Sequence, residues 1–284
     1  MTLSKDTKIL IVGLGLIGGS YAMALTKKGY KVHAITKDQP SIDYAVNKGI
    51  ISSGTTTIDP DLISSSDLVI FALYPQVFID WVAKNQHLLK SGAVITDVTG
   101  VKCGVVDAVQ SILRKDVEFI PAHPMAGREC YGVENADDSI FKNANYIVTP
   151  TDKNTEEATL LCEDLGRILG FARISRLSPE EHDDMIAFLS QLTHVIAVSL
   201  MNSSDNENLV SYTGDSFRDL TRIAKINENM WSELFLRNKE ALLKHIDTFD
   251  ATLKDFRNML ASDDAEGMKE AMRKSTEHRK LFDK

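Results

Sequence analysis

Short apolar runs alternate with amphipathic stretches through the first part of the chain. Lys8–Val12, Lys31–Thr36, Leu68–Leu73, Ala93–Val98, Glu118–Ala122 and Tyr146–Val148 are β-rich and read as buried strands. Val77–Leu89 and Val105–Leu113 carry helical patterns between them. Strands separated by helices predict an α/β unit on a mainly parallel, doubly wound sheet with right-handed crossovers. The second part has a 3.6-residue period instead. Ile186, Leu189, His194, Ala197 and Leu200 share one stripe, and Trp231, Leu234, Leu242 and Ile246 another, so this part is predicted to be all-α.

Glycine and proline mark the same division. All seven prolines and fourteen of the sixteen glycines precede residue 180, because long helices exclude both. Ser178-Pro179-Glu180-Glu181 offers an N-cap, a first-turn proline and a capping-box acid. The expected units are residues 1–175 and 176–284.

Of 284 residues, 43% are hydrophobic and 25% charged, which excludes a disordered or collagen-like chain. A net charge of −8 excludes the global basic charge of a typical nucleic-acid binder, so an anionic ligand requires a local basic cluster. Cys103, Cys130 and Cys162 are odd in number and far apart, as expected of a reduced cytoplasm rather than a disulfide or zinc framework. Ile9–Leu25 is uncharged and contains Ala22-Met23-Ala24, but its seventeen residues include four glycines. That is weak for a signal or a membrane span. A soluble, cytoplasmic protein with no membrane partner is expected.

Gly13-Leu14-Gly15-Leu16-Ile17-Gly18 follows the first strand and opens a helix, Gly19–Lys28. Gly13 permits the tight turn, Gly15 lets backbone approach a pyrophosphate, and Gly18 allows close helix–strand packing. The helix N-terminus offers N–H groups to the anion, and Leu16 and Ile17 of the turn are counted with the glycines. These residues, with Leu73 at the end of its strand, form the expected dinucleotide site of a Rossmann-type domain. Where an acid would read the 2′-hydroxyl of NAD, the second strand ends in Thr36, followed by Lys37. This favours NADP and leaves NAD open, since Asp38 is adjacent.

His123 lies after the strand Glu118–Ala122, in His123-Pro124-Met125-Ala126-Gly127. Position at a strand's carboxyl end makes it a candidate base. Ser190 and His194 share a helix face, which reads either as a core histidine or as part of a pocket. Arg218, Arg222 and Lys225 recur at helical spacing on Gly214–Ile226, with Asp219 beside them. They form either a solvated face or a carboxylate-binding one. His33, His87, His182, His245 and His278 have no ligands at metal spacing, so no metal is expected.

Gly13-Leu14-Gly15-Leu16-Ile17-Gly18-Gly19-Ser20, His123-Pro124-Met125-Ala126-Gly127, Ser190-Gln191-Leu192-Thr193-His194 and Phe217-Arg218-Asp219-Leu220-Thr221-Arg222-Ile223-Ala224 together resemble the prephenate/arogenate dehydrogenases of tyrosine biosynthesis. The resemblance implies oxidative decarboxylation of prephenate to 4-hydroxyphenylpyruvate with hydride transfer to NAD(P), or the corresponding reaction of arogenate. It places the acceptor of the ring hydroxyl's hydrogen bond on His123 and a substrate carboxylate on Arg222, with Asp219 beside it and His194 in the same pocket. It also implies an all-α dimerisation domain and a homodimer that lends residues across the two-fold, at positions matched by Arg218 and Trp231.

Two departures stand out. Asp97-Val98-Thr99-Gly100-Val101-Lys102 carries Gly100 where the family has a serine that helps orient the histidine, leaving Thr99 or water to substitute. The chain also ends with the helical part, so feedback through a C-terminal regulatory domain is not expected, whereas tyrosine binding at the active site stays open. A β-hydroxyacid dehydrogenase would need a helical lysine where Ser190 and His194 stand. A non-catalytic dinucleotide sensor would need neither His123 nor Arg222.

Overall fold

The computed structural model describes residues 3–128 and 130–283. β1 (Ile9–Val12), β2 (Val32–Ile35), β3 (Ser53–Thr55), β4 (Leu68–Phe71), β5 (Val94–Asp97) and β6 (Glu118–Ile120) form a parallel sheet in the order β3-β2-β1-β4-β5-β6. Between them run α1 (Leu16–Lys27), α2 (Gln39–Asn47), α3 (Pro60–Ser65), α4 (Pro75–Asn85) and α5 (Cys103–Ile112). The strand order reverses between β1 and β4, as in Rossmann-type folds. Ile9 and Ile11 point into one apolar core, and Leu10 and Val12 into another on the opposite face. Burial on both faces explains why these strands read as continuous apolar runs.

β7 (Ala122–Pro124), β8 (Asn145–Val148) and β9 (Arg173–Arg176) make a second, small sheet, with α6 (Glu156–Leu169) between β8 and β9. The expected strand Glu118–Ala122 therefore divides at Pro121. Its first half pairs with β5, and the chain then leaves that sheet to run antiparallel to β8. His123 is thus inside β7 rather than beyond a strand end. Tyr146–Val148 likewise belongs to the small sheet. Edge strands β3 and β9 were not expected, because Ser53–Thr55 and Arg173–Arg176 are exposed or half-buried and lack a continuous apolar run.

The helical part comprises α7 (Pro179–Ile186), α8 (Thr193–Met201), α9 (Asp215–Thr221), α10 (Glu228–Arg237), α11 (Lys239–Ala261) and α12 (Ala265–Lys280). Ser178 caps α7, its side chain accepting from Glu181 N while Glu181 bonds back to Ser178 N, and Pro179 occupies the first turn. A π-helical segment, Ala187–Leu192, joins α7 to α8. It shifts the expected stripe, turning Leu189 outward and burying Gln191 and Leu192. Pro179–Met201 is long and apolar enough to cross a membrane by length and composition alone, a test that core helices of soluble proteins also pass. A break at buried Asn238 separates α10 from α11. Leu234 joins the core beneath β4 and β5, docking the helical part onto the sheet.

Candidate active site

The glycine turn has the geometry of a dinucleotide cradle. Gly13 has φ +98°, and a Cβ there would overlap Ala72 O and approach Leu73 Cδ2 to 2.9 Å. A Cβ on Gly18 would overlap Gly13 O, whereas nothing lies within 4 Å of one on Gly15. The turn is closed toward the sheet and open at Gly15, where α1 begins without a side-chain cap. That leaves backbone N–H groups of Leu16 and Ile17 to meet an anion. At the end of β2, Thr36 is half-buried and Lys37 exposed. Asp38 is turned into the N-cap of α2, its Oδ2 accepting from Ser41 N at 3.0 Å.

The loop after β5 is held by buried charge. Lys102 Nζ donates to Asp97 Oδ2 at 2.7 Å and to Ala122 O at 2.6 Å. Asp97 Oδ1 accepts from Ala122 N at 3.0 Å, so the ends of β5 and β7 are tied together. The Thr99 hydroxyl donates to Asp97 and accepts from Lys102. It is committed within the loop and forms no hydrogen bond to His123. A Cβ on Gly100 would lie 3.8 Å from His123 Nε2 and from both Leu234 methyls. Gly100 therefore leaves a small gap between this nitrogen and α10.

His123 Nδ1 is 2.8 Å from His182 Nε2, and His182 Nδ1 is 2.7 Å from Asp183 Oδ1. Burial, then the neighbouring His182 and the Lys102 charge, hold His123 well below the ordinary imidazole range. It is neutral at physiological pH and able to accept a proton.

On the helical side, His194 Nδ1 donates to Ser190 O at 2.8 Å. Its ring packs on Trp231, with centroids 3.7 Å apart. Trp231 is one turn before Leu234 on α10, which links His194 to the gap beside His123. The helix expected over Gly214–Ile226 breaks up instead: α9 ends at Thr221, and Arg222–Ala224 is a 3₁₀ turn packed against α8. The regular Arg218/Arg222/Lys225 face is therefore lost. Arg222 stands beside the helix carrying His194. Arg218 bonds Asp215 and Thr213 O on exposed α9, where Asp219 also lies.

Residues 21–168 match the family model described as prephenate dehydrogenase, nucleotide-binding domain, and residues 178–274 match prephenate dehydrogenase, dimerization domain. This chain belongs to the prephenate dehydrogenase family. It is 31% identical over 275 residues to a prephenate dehydrogenase of Bacillus subtilis, covering 94% of this chain and 74% of the relative. It is 30% identical to the cyclohexadienyl dehydrogenase of Zymomonas mobilis, covering 98% and 96%. Among solved structures, a prephenate dehydrogenase from A. aeolicus in complex with hydroxyphenyl propionate and NAD+ superposes with a TM-score of 0.90 at 32% identity, over the whole of both chains. The protein is an oxidoreductase with a nicotinamide-dinucleotide-binding domain.

In this member of the prephenate dehydrogenase family, the partners of His123 were not legible in the sequence. His182 sits 59 residues away from His123 and has no partners at metal spacing in the sequence. Its one local signal was the adjacent acid, Asp183, in the first turns of a capped helix.

Proposed function

We propose that this chain oxidatively decarboxylates prephenate to 4-hydroxyphenylpyruvate, with hydride transfer to NAD(P) and His123 as the proton acceptor at the ring hydroxyl. The observation that carries this reading is His123 itself: Nδ1 is bonded to His182, and Nε2 faces the gap at Gly100 and Leu234. A bound nicotinamide would supply the acceptor for the hydride of the carbinol carbon. The ring carboxylate leaves as CO2, and its bonding pair enters the ring. His123 draws on the hydroxyl proton as the C–H bond breaks, and the proton returns to the phenol oxygen. Aromatisation drives the step without a metal, and the protein contributes alignment and electrostatics.

Arg222 is assigned to a substrate carboxylate, with Ser190 and His194 lining the same pocket. Arg218, exposed on α9, serves the two-fold-related site in this reading, and Asp219 accompanies Arg222 at the substrate carboxylate. NADP is favoured over NAD because Asp38 is engaged in capping α2, leaving Thr36 and Lys37 to meet a 2′-phosphate. A homodimer is supported by the seam on α11, where Phe249, Leu253, Phe256 and Leu260 recur at alternating spacings of four and three beyond the buried Leu242. Leu253 and Leu260 are more than half exposed. We assign residues 1–175 to the dinucleotide-binding domain, residues 176–284 to the substrate and dimerisation domain, and the protein to the cytoplasm.

The test is steady-state kinetics with prephenate and arogenate, each with NAD and NADP, following reduced nicotinamide. Turnover of neither substrate would sink the reading, and faster turnover of arogenate would reassign the substrate.

A further inference from the structure

We infer that His182 and Asp183 are positioning residues that fix the tautomer of His123 and make its orientation depend on docking of the helical part. The inference rests on His123 being the base.

Asp183 is buried and acceptor-only. Its Oδ1 lies 2.7 Å from His182 Nδ1 and 2.8 Å from Lys102 N, and its Oδ2 lies 2.8 Å from Cys103 N. Two backbone N–H groups at the start of α5 hold the carboxylate, and the first hydrogen bond places the proton of neutral His182 on Nδ1. His182 Nε2 is then an acceptor, so the 2.8 Å contact to His123 must be a donation from His123 Nδ1–H. His123 Nε2 is consequently unprotonated and turned toward the gap at Gly100. The other tautomer of His123 would place two lone pairs against each other. Burial lowers His182 from its ordinary value despite the opposing influence of Asp183, which agrees with a neutral ring.

This pair also spans two parts of the molecule. His182 and Asp183 belong to α7, His123 to β7, and residues 102 and 103 to the start of α5. Asn238, at the α10–α11 break, donates to Asp183 O at 2.8 Å and to Gln191 Oε1 at 2.9 Å. The His123 imidazole is therefore aligned only where α7 meets the sheet. When His123 takes a proton, the new charge lies one ring from the Asp183 carboxylate, which stabilises it. The other ionisable groups facing this run are Asp97 at the end of β5, Lys102 from the β5–α5 loop and Cys103 from α5. Burial and then Asp183 push the Cys103 thiol up to about 12, so it stays neutral.

The experiment compares Asp183→Asn, His182→Leu and His182→Gln with wild type and His123→Asn. It measures kcat, KM for both substrates, the pH profile of kcat and thermal melting. Asp183→Asn and His182→Leu are expected to lower kcat roughly ten- to thousandfold with KM little changed. In Asp183→Asn, the acidic limb should move to lower pH, because the imidazolium loses its countercharge. His182→Gln, which can still accept from His123 Nδ1, should recover much of kcat. If His182→Leu does not fold, Asp183→Asn and His182→Gln carry the comparison. Folded Asp183→Asn with wild-type kcat and an unmoved limb overturns the inference, as does a lower melting temperature with unchanged kcat per active site. Near wild-type kcat in His123→Asn instead overturns the assignment of the base.

Discussion

Lys102 and Asp97 form an ion pair with N···O 2.7 Å and no exposure of either side chain. The pair braces the β5–α5 loop against β7 and so supports both Gly100 and His123. Burial alone would discharge Lys102, and its pKa is lowered, but Asp97 and the carbonyl of Ala122 oppose that effect. Removing one partner leaves a buried charge uncompensated, at a cost of about 3–5 kcal/mol. Lys102→Met should therefore destabilise the fold by that amount in denaturant titration. A loss below about 1 kcal/mol, the range of exposed pairs, would mean the pair is not structural.

His123→Asn should lower kcat by about 10²–10⁴-fold with cofactor affinity nearly intact. The wild-type pH profile has a definite sign. Burial depresses His123, so the neutral, accepting form persists below the ordinary imidazole value. Activity should rise with pH through one ionisation and be lost only as pH falls through that lowered value. A limb at or above the ordinary imidazole value would show that His123 is not depressed in the folded enzyme.

Removing a charge-assisted carboxylate contact costs about 1.5–3 kcal/mol. Arg222→Ala should thus raise KM for the substrate by roughly 10- to 150-fold with KM for the dinucleotide unchanged. Normal KM in a variant that has lost helicity or its dimer would return Arg222 to a solvated surface.

The cofactor preference is tested at the end of β2. A hydrogen bond to a charged group contributes about 1.5–3 kcal/mol, so Thr36 and Lys37 should favour NADP over NAD by roughly ten- to hundredfold in kcat/KM. Thr36→Asp with Lys37→Ala should reverse the order. Equal or better use of NAD by the wild type would show that the loop does not receive a 2′-phosphate.

The α11 seam makes a separate prediction. Leu253→Asp with Phe256→Asp would place unpaired carboxylates in an apolar contact, which is strongly unfavourable. Light scattering coupled to size exclusion should report a dimer for wild type and a monomer for the double variant. An unchanged dimer would move the interface elsewhere.

Local signals determined much of this protein. Continuous apolar strands, Gly13 to Gly18 at the head of α1, and the Ser178–Glu181 capping box each act within a few residues, so each was readable from spacing alone. Only the tertiary structure split Glu118–Ala122 between two sheets, turned Leu189 outward at a π segment and ended α9 before Arg222. Those outcomes depend on competing partners rather than on propensity. The surroundings of His123 depended on the same thing at longer range. His182 lies 59 residues from it, and Asp183 reaches backbone 80 and 81 residues away. Hydrogen bonds between groups that distant leave no periodicity in the chain. They exist because Leu234 and the buried face of α7 seat the helical part against the sheet, bringing His182 and Asp183 up to His123, which the sequence had marked by itself.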